Sequence, residues 1–272
     1  MHPPGSPQRL VTSPDGTPIA VFVSGGGPPL VLVHGATADH TTFRVVGPML
    51  GRHFALYAID RRGRGASGDH APYAVAREFE DVASVVETVA REWKGPIPVV
   101  GHSFGGRCAL GAALRTEAVG VVVCYEGAPA PPGATYHPTG IEARLRTELE
   151  AADPAAALAT FMTSVVGMTE ADMDRFRADP VWPARVAAAH TILRELEAER
   201  DPAASLDALG AVHQPVLQVL GDDSRPVFHA ATMALDARLA NGTVATIGGA
   251  RHAAHHTHPE EFVALVRSFL EA

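Results

Sequence analysis

The feature that most constrains this chain is a repeated punctuation. Short apolar runs rich in Val, Leu and Ile each stop at a turn residue and alternate with helical patterns. Pro29–Val33 stops at His34-Gly35, Phe54–Ile59 at Asp60 and Ile97–Val100 at Gly101. Val119–Tyr125 stops at Glu126-Gly127, Pro215–Leu220 at Gly221 and Thr243–Ile247 at Gly248-Gly249. The runs do not alternate apolar with polar residues, which predicts parallel strands buried on both faces. Arg9–Thr12 and Pro18–Val23, joined by Ser13-Pro14-Asp15-Gly16, read as an opening β-hairpin. Helices are expected at Val75–Trp93, Gly105–Arg115, His229–Leu239 and Pro259–Glu271. The sum is an α/β fold: a mostly parallel eight-stranded sheet flanked by helices.

One stretch breaks this rhythm. Between Pro129 and Val212 no strand is evident, and helical patterns run at Ile141–Ala151, Ala155–Val166, Glu170–Phe176 and Pro183–Glu199. We read residues 1–128 and 213–272 as the core and residues 129–212 as a helical cap above the C-terminal edge of the sheet, where open α/β sheets bind ligands.

Composition excludes several classes. The net charge of −8 lacks the basic footprint of a nucleic-acid binder. Two cysteines, Cys108 and Cys124, sit in apolar runs and read as small buried hydrophobes, not a disulfide framework or a zinc set. The opening residues lack the apolar segment of a signal peptide, and no apolar run approaches the ~20 residues of a membrane helix. A soluble cytoplasmic protein with a small-molecule substrate and no nucleic-acid or membrane partner is the expectation.

Gly101-His102-Ser103-Phe104-Gly105-Gly106 follows a strand and precedes a helix. G-x-S-x-G in that context is a nucleophile elbow: small residues tolerate a strained turn that lifts the Ser103 hydroxyl clear of the sheet. Gly25-Gly26-Gly27 precedes a strand and opens no helix, so it is no dinucleotide fingerprint, and no cofactor is implied.

On these residues the chain resembles the α/β-hydrolase superfamily, in particular its cofactor-free haloperoxidase and esterase branch, over nearly its whole length. His34-Gly35-Ala36 is similar to the family's H-G-x turn, and Asp60-Arg61-Arg62-Gly63-Arg64-Gly65-Ala66-Ser67 to its D-x-x-G-x-G-x-S turn. The resemblance implies Ser103 as nucleophile, His252 as general base, and the backbone N–H groups of Ala36 and Phe104 as an oxyanion hole. His34 reads as a turn residue beside the substrate pocket. The glycines and serine of the D-x-x-G turn shape it, with phosphate binding by its three arginines as the lesser rival reading. Near His252, the histidines His255, His256 and His258 raise a metal site, but no Cys or close carboxylate cluster completes one.

The triad's acid stays open. Relatives commonly carry an Asp after the seventh strand; here Ser224 stands in that slot, with Asp223 one residue short and Asp222 beside it. Glu126, at the end of the sixth strand, is the other candidate and is placed first, since some haloalkane dehalogenases carry their acid after this strand. Those enzymes and the related epoxide hydrolases use an Asp nucleophile, so Ser103 points away from their activities. The implied activity is hydrolysis of an ester, lactone or thioester of a mainly apolar small molecule through an acyl-enzyme. C–C bond hydrolysis of a β-diketone-like substrate, lyase or cyclase chemistry and simple small-molecule binding are the rivals. Phe161, Met162, Val165, Val166, Met168, Phe176 and Trp182 are candidate pocket residues, with Tyr136, His137 and His190 as polar contacts.

Overall fold

Burial on both faces shapes the centre of the molecule. In the computed structural model, which describes residues 7–272, every residue of β3 (Pro29–Val33) and β7 (Val216–Gly221) is buried. The remaining strands are β1 (Arg9–Thr12), β2 (Pro18–Gly25), β4 (Ala55–Ile59), β5 (Ile97–His102), β6 (Val119–Tyr125) and β8 (Gly242–Ile247). They form one eight-stranded sheet in the order β1-β2-β4-β3-β5-β6-β7-β8. β2 pairs antiparallel with both β1 and β4, and all other pairs are parallel. Parallel pairing from β3 to β8 sends the C-terminal ends of six strands to one edge. His34, Asp60, Ser103, Glu126, Asp222 and His252 therefore all emerge there.

Two apolar layers hold the sheet. On one face Val31, Val33, Val99 and Val122 pack with Phe79, Val82 and Val86 of the helix Val75–Trp93 and with Cys108 and Leu110 of the helix Phe104–Ala113. On the other, Leu30, Leu32, Val100, Val123 and Leu217 pack with Phe262 and Val266 of the helix Pro259–Leu270. Trp93, expected in the buried stripe of its helix, is 52% exposed. The helix ends there because Lys94 turns left-handed (φ 64°) and donates its N–H to Ala90 O at 2.7 Å. Both cysteines are buried, and burial pushes the Cys124 thiol up to about 12.

Between β6 and β7 the described chain is helical or irregular. Asp153 caps the helix Pro154–Phe161 by accepting from Ala156 N at 2.9 Å. That helix continues as a π-turn over Met162–Val166, and Gly167 closes it at φ 85°. A capping box of Thr169 and Asp172 starts the helix Glu170–Ala178. The single helix expected over Pro183–Glu199 is instead Trp182–Ala187, a 3-10 turn Ala188–Thr191, and Ile192–Ala198. The break lets the last segment turn its Glu195 carboxylate inward against the core arginines.

Candidate active site

The turn at Ser103 is strained, and glycine makes it possible. Ser103 has φ 55° and ψ −127°, a conformation that costs a non-glycine residue about 1–3 kcal/mol. Its N–H donates to Tyr125 O at 2.7 Å, and its carbonyl accepts from Gly106 N at 2.8 Å. A Cβ on Gly105 would lie 2.3 Å from the carbonyl oxygens of Val33 and His34, so only glycine lets the helix start this close to β3. As first residue of that helix, Phe104 has no intrahelical acceptor for its N–H. Among the described residues no hydrogen-bond acceptor meets the N–H of Phe104 or of Ala36.

Ser103, Ala36, Phe104, Glu126 and His252 line one small cavity of about 50 Å³. His252 Nδ1–H donates to Glu126 Oε2 at 2.6 Å. Glu126 is 3% exposed, and its other oxygen accepts from Gly221 N at 2.8 Å and from the Ser224 hydroxyl at 2.6 Å. Its own backbone sits at φ 47°, which swings the side chain across from β6 toward the loop after β7. Asp222 and Asp223, by contrast, are exposed and make no side-chain hydrogen bond among the described residues. The structure thus brings Glu126 to His252, and Asp223 does not approach it.

The His252 loop is tied to the strands that carry the other two residues. His102 Nε2–H donates to His252 O at 2.8 Å, and the Tyr125 hydroxyl donates to Arg251 O while accepting from Ala254 N. Phe228 stacks on the His252 ring with centroids 4.5 Å apart. Sequence reasoning missed Ser224 as a partner, and also His102, Tyr125 and Phe228. The one available signal was that His102 and Tyr125 directly precede Ser103 and Glu126. Burial holds the His102 imidazole well below its usual range, and that of His255, tilted against it with centroids 4.3 Å apart, as well.

Other expectations are corrected. His34 is fully buried and away from the cavity: its Nε2 accepts from Arg61 N at 2.9 Å and its Nδ1–H donates to Gly35 O at 2.8 Å. It orders the turn and does not line the cavity. Phe161, Val165 and Val166 line the cavity, but Met162 and Trp182 do not. Met162 packs in the core of the insert, and Trp182 meets Phe176 edge to face with centroids 5.3 Å apart. Tyr136 lines the cavity, His137 lies 3.8 Å from Glu199, and His190 is exposed with its Nδ1–H on Ala187 O.

The arginine-rich turn is an internal charge lattice, not a phosphate site. Arg61 forks onto Glu78 at 2.7 and 2.9 Å and reaches Glu195 at 2.5 Å. Arg62 does the same with Asp81 at 2.7 and 2.8 Å, and Arg64 also holds Glu195. Because Glu195 comes from the helical insert, these pairs fasten it over the sheet edge. Arg61 and Arg64 hold the buried Glu78 carboxyl down at about 2 against the opposing effect of its burial. Among the described residues, Asp39, His40 and Asp60 are the group with ligand atoms close enough to share an ion. Asp60 there accepts from His40 N and Ala66 N, each at 2.8 Å, so the group serves to hold the turn.

Comparison with known proteins places this geometry. The profile of the family described as "Alpha/beta hydrolase family" matches residues 30–265. A 2-(acetamidomethylene)succinate hydrolase of Mesorhizobium japonicum is 28% identical over 264 residues, 91% of this chain and 90% of that protein. A pimeloyl-[acyl-carrier protein] methyl ester esterase of Nitrosomonas europaea is 28% identical over 260 residues, 90% of this chain and 96% of that protein. Among solved structures, an alpha/beta hydrolase from Sphaerobacter thermophilus superposes with a TM-score of 0.81 at 29% identity, covering 96% of this chain and 100% of that one. Among the described residues no helix is long and apolar enough to cross a membrane.

Proposed function

The chain belongs to the alpha/beta hydrolase family, and from that premise we propose that it is a serine hydrolase cleaving an ester, lactone or thioester of a small, mainly apolar molecule. The observation that carries this reading is the 2.6 Å hydrogen bond from His252 Nδ1 to Glu126, in a cavity that Ser103 also lines. With Nδ1–H committed to the carboxylate, Nε2 is the nitrogen left free to act as the base.

In the proposed cycle Ser103 Oγ attacks the acyl carbonyl as His252 Nε2 takes its proton. The tetrahedral oxyanion accepts from the N–H groups of Ala36 and Phe104, each worth about 10²–10³ in rate. His252 returns the proton to the leaving group, and Glu126 stabilises the imidazolium throughout. A water activated by His252 then attacks the acyl-enzyme and releases the acid. Ser103 and His252 are not hydrogen-bonded to each other among the described residues, and such bonds commonly tighten only when substrate binds. The small cavity, walled by Phe161, Val165, Val166, Leu196 and Phe228, suits a short acyl chain. The relatives' hydrolysis of an acetamidomethylene succinate and of a methyl ester supports this reaction class.

The test is covalent labelling. A fluorophosphonate should add once, at Ser103, and short-chain p-nitrophenyl esters should be hydrolysed by the wild type and not by Ser103→Ala. Absence of any adduct on Ser103 would overturn the reading in favour of lyase, cyclase or simple binding roles.

A further inference from the structure

We infer that Arg107 is a specificity residue that holds a carboxylate on the acyl part of the substrate, about one helical turn beyond Ser103. The inference rests on Ser103 being the nucleophile, and it adds the chemistry of the substrate's far end.

Arg107 follows the elbow by four residues, so its side chain lies on the face of the helix that carries Ser103. It lines the same cavity and is only 4% exposed. A guanidinium taken out of water needs anionic partners or short hydrogen bonds, since an unmatched buried charge is strongly unfavourable. Arg107 has neither. Nε and Nη2 reach Gly127 O and Ala128 O only at 3.4 Å, and Nη1 has no partner. The nearest carboxylate oxygen, on Glu199, is 3.9 Å from Nη1.

The surroundings offer no better match. Burial pushes the Glu199 carboxyl up, against the opposing pull of Arg107 itself. Glu195, on the same wall, is held at one oxygen by Arg61 and Arg64. Its other oxygen is unpartnered, so the wall also has a place for an N–H or O–H donor. Arg61 and Arg107 lie over the Phe104 ring, 4.6 and 5.4 Å from its centroid, which holds the Arg107 side chain in place. A planar fork with one donor free and two on long bonds is side-chain chemistry that can turn to bind a carboxylate at two points. An acyl chain short enough for the cavity, with its ester carbonyl at Ser103, would end in a carboxylate at Arg107, as in a hemiester of a small dicarboxylic acid.

The experiment measures binding without turnover. Monomethyl succinate and its uncharged isostere methyl succinamate are titrated calorimetrically into the Ser103→Ala protein. The hemiester should bind about tenfold or more tightly, and a second substitution, Arg107→Met, should abolish the preference, while Arg107→Lys keeps part of it. Equal affinity of the two esters for Ser103→Ala overturns the inference without any change at position 107. A preference that survives Arg107→Met also overturns it. Failure of the nucleophile reading looks different: no fluorophosphonate adduct on the wild type, with the binding preference intact.

Discussion

Ser224 donates its hydroxyl to Glu126 at 2.6 Å, so the loop after β7 serves a carboxylate that arrives from the neighbouring strand β6. The same carboxylate carries His252 on its other oxygen. The acid, its hydrogen-bond donors and the histidine therefore come from three adjacent strand ends.

From this it follows that Glu126→Gln should lower kcat on a p-nitrophenyl ester by about 10²–10⁴, through loss of the charge opposite the imidazolium. Asp223→Asn should stay within about twofold of wild type, as expected for an exposed side chain away from the site. Steady-state kinetics of the two purified variants checks both, and the reverse order would contradict the assignment of Glu126.

Ser224→Ala removes one of two donors from the Glu126 oxygen turned away from His252. With Gly221 N still in place, we expect about a tenfold fall in kcat and little change in melting temperature. Ser224→Thr retains the hydroxyl and should restore most of the rate. A purely structural role would instead lower stability and leave the pH–rate profile where it was.

The arginine lattice predicts a large stability effect away from the reacting atoms. Glu78→Ala leaves Arg61 with one carboxylate in place of two while both stay buried, and should cost about 3–5 kcal/mol in denaturant unfolding. Arg77→Ala, whose partner Glu80 is near the surface, should cost less than about 1 kcal/mol.

Stability should fall as the medium is acidified below about pH 6.5. His102 and His255 are held well below their usual range by burial, and His256 is lowered to about 4, also mainly by burial. Below about 6.5 the unfolded chain binds protons that the folded chain refuses, so each such group removes up to about 1.4 kcal/mol per pH unit. For His256 the loss levels off near pH 4, where the folded state also takes up its proton. Melting temperatures measured between about pH 7 and pH 5 should drop, and His255→Leu should make the slope shallower.

The sheet and the elbow were legible because their signals are local. Apolar runs buried on both faces need no partner to be recognised, and each ends where the parallel sheet has its C-terminal edge. G-x-S-x-G needs only its flanking strand and helix to be read, and Ser103 with its strained φ stands where they place it.

Residues of the insert were not legible in the same way. Met162, Val165, Val166 and Trp182 look alike as apolar residues on short helices, and packing alone sends Val165 and Val166 to the cavity and the others elsewhere. The arginines after β4 are equally ambiguous, because their partners Glu78, Asp81 and Glu195 lie up to 134 residues away along the chain.

By itself, then, the sequence determined the sheet, its working edge, the strained serine and the histidine that follows the last strand, since each depends on near neighbours. The choice between Glu126 and Asp223 belonged to the tertiary structure. Tyr125 pairs with Val219, so the ends of β6 and β7, which carry the two acids, lie side by side. Only side-chain direction separates them: the left-handed backbone at Glu126 turns its carboxylate inward among buried donors, while Asp223 points to water.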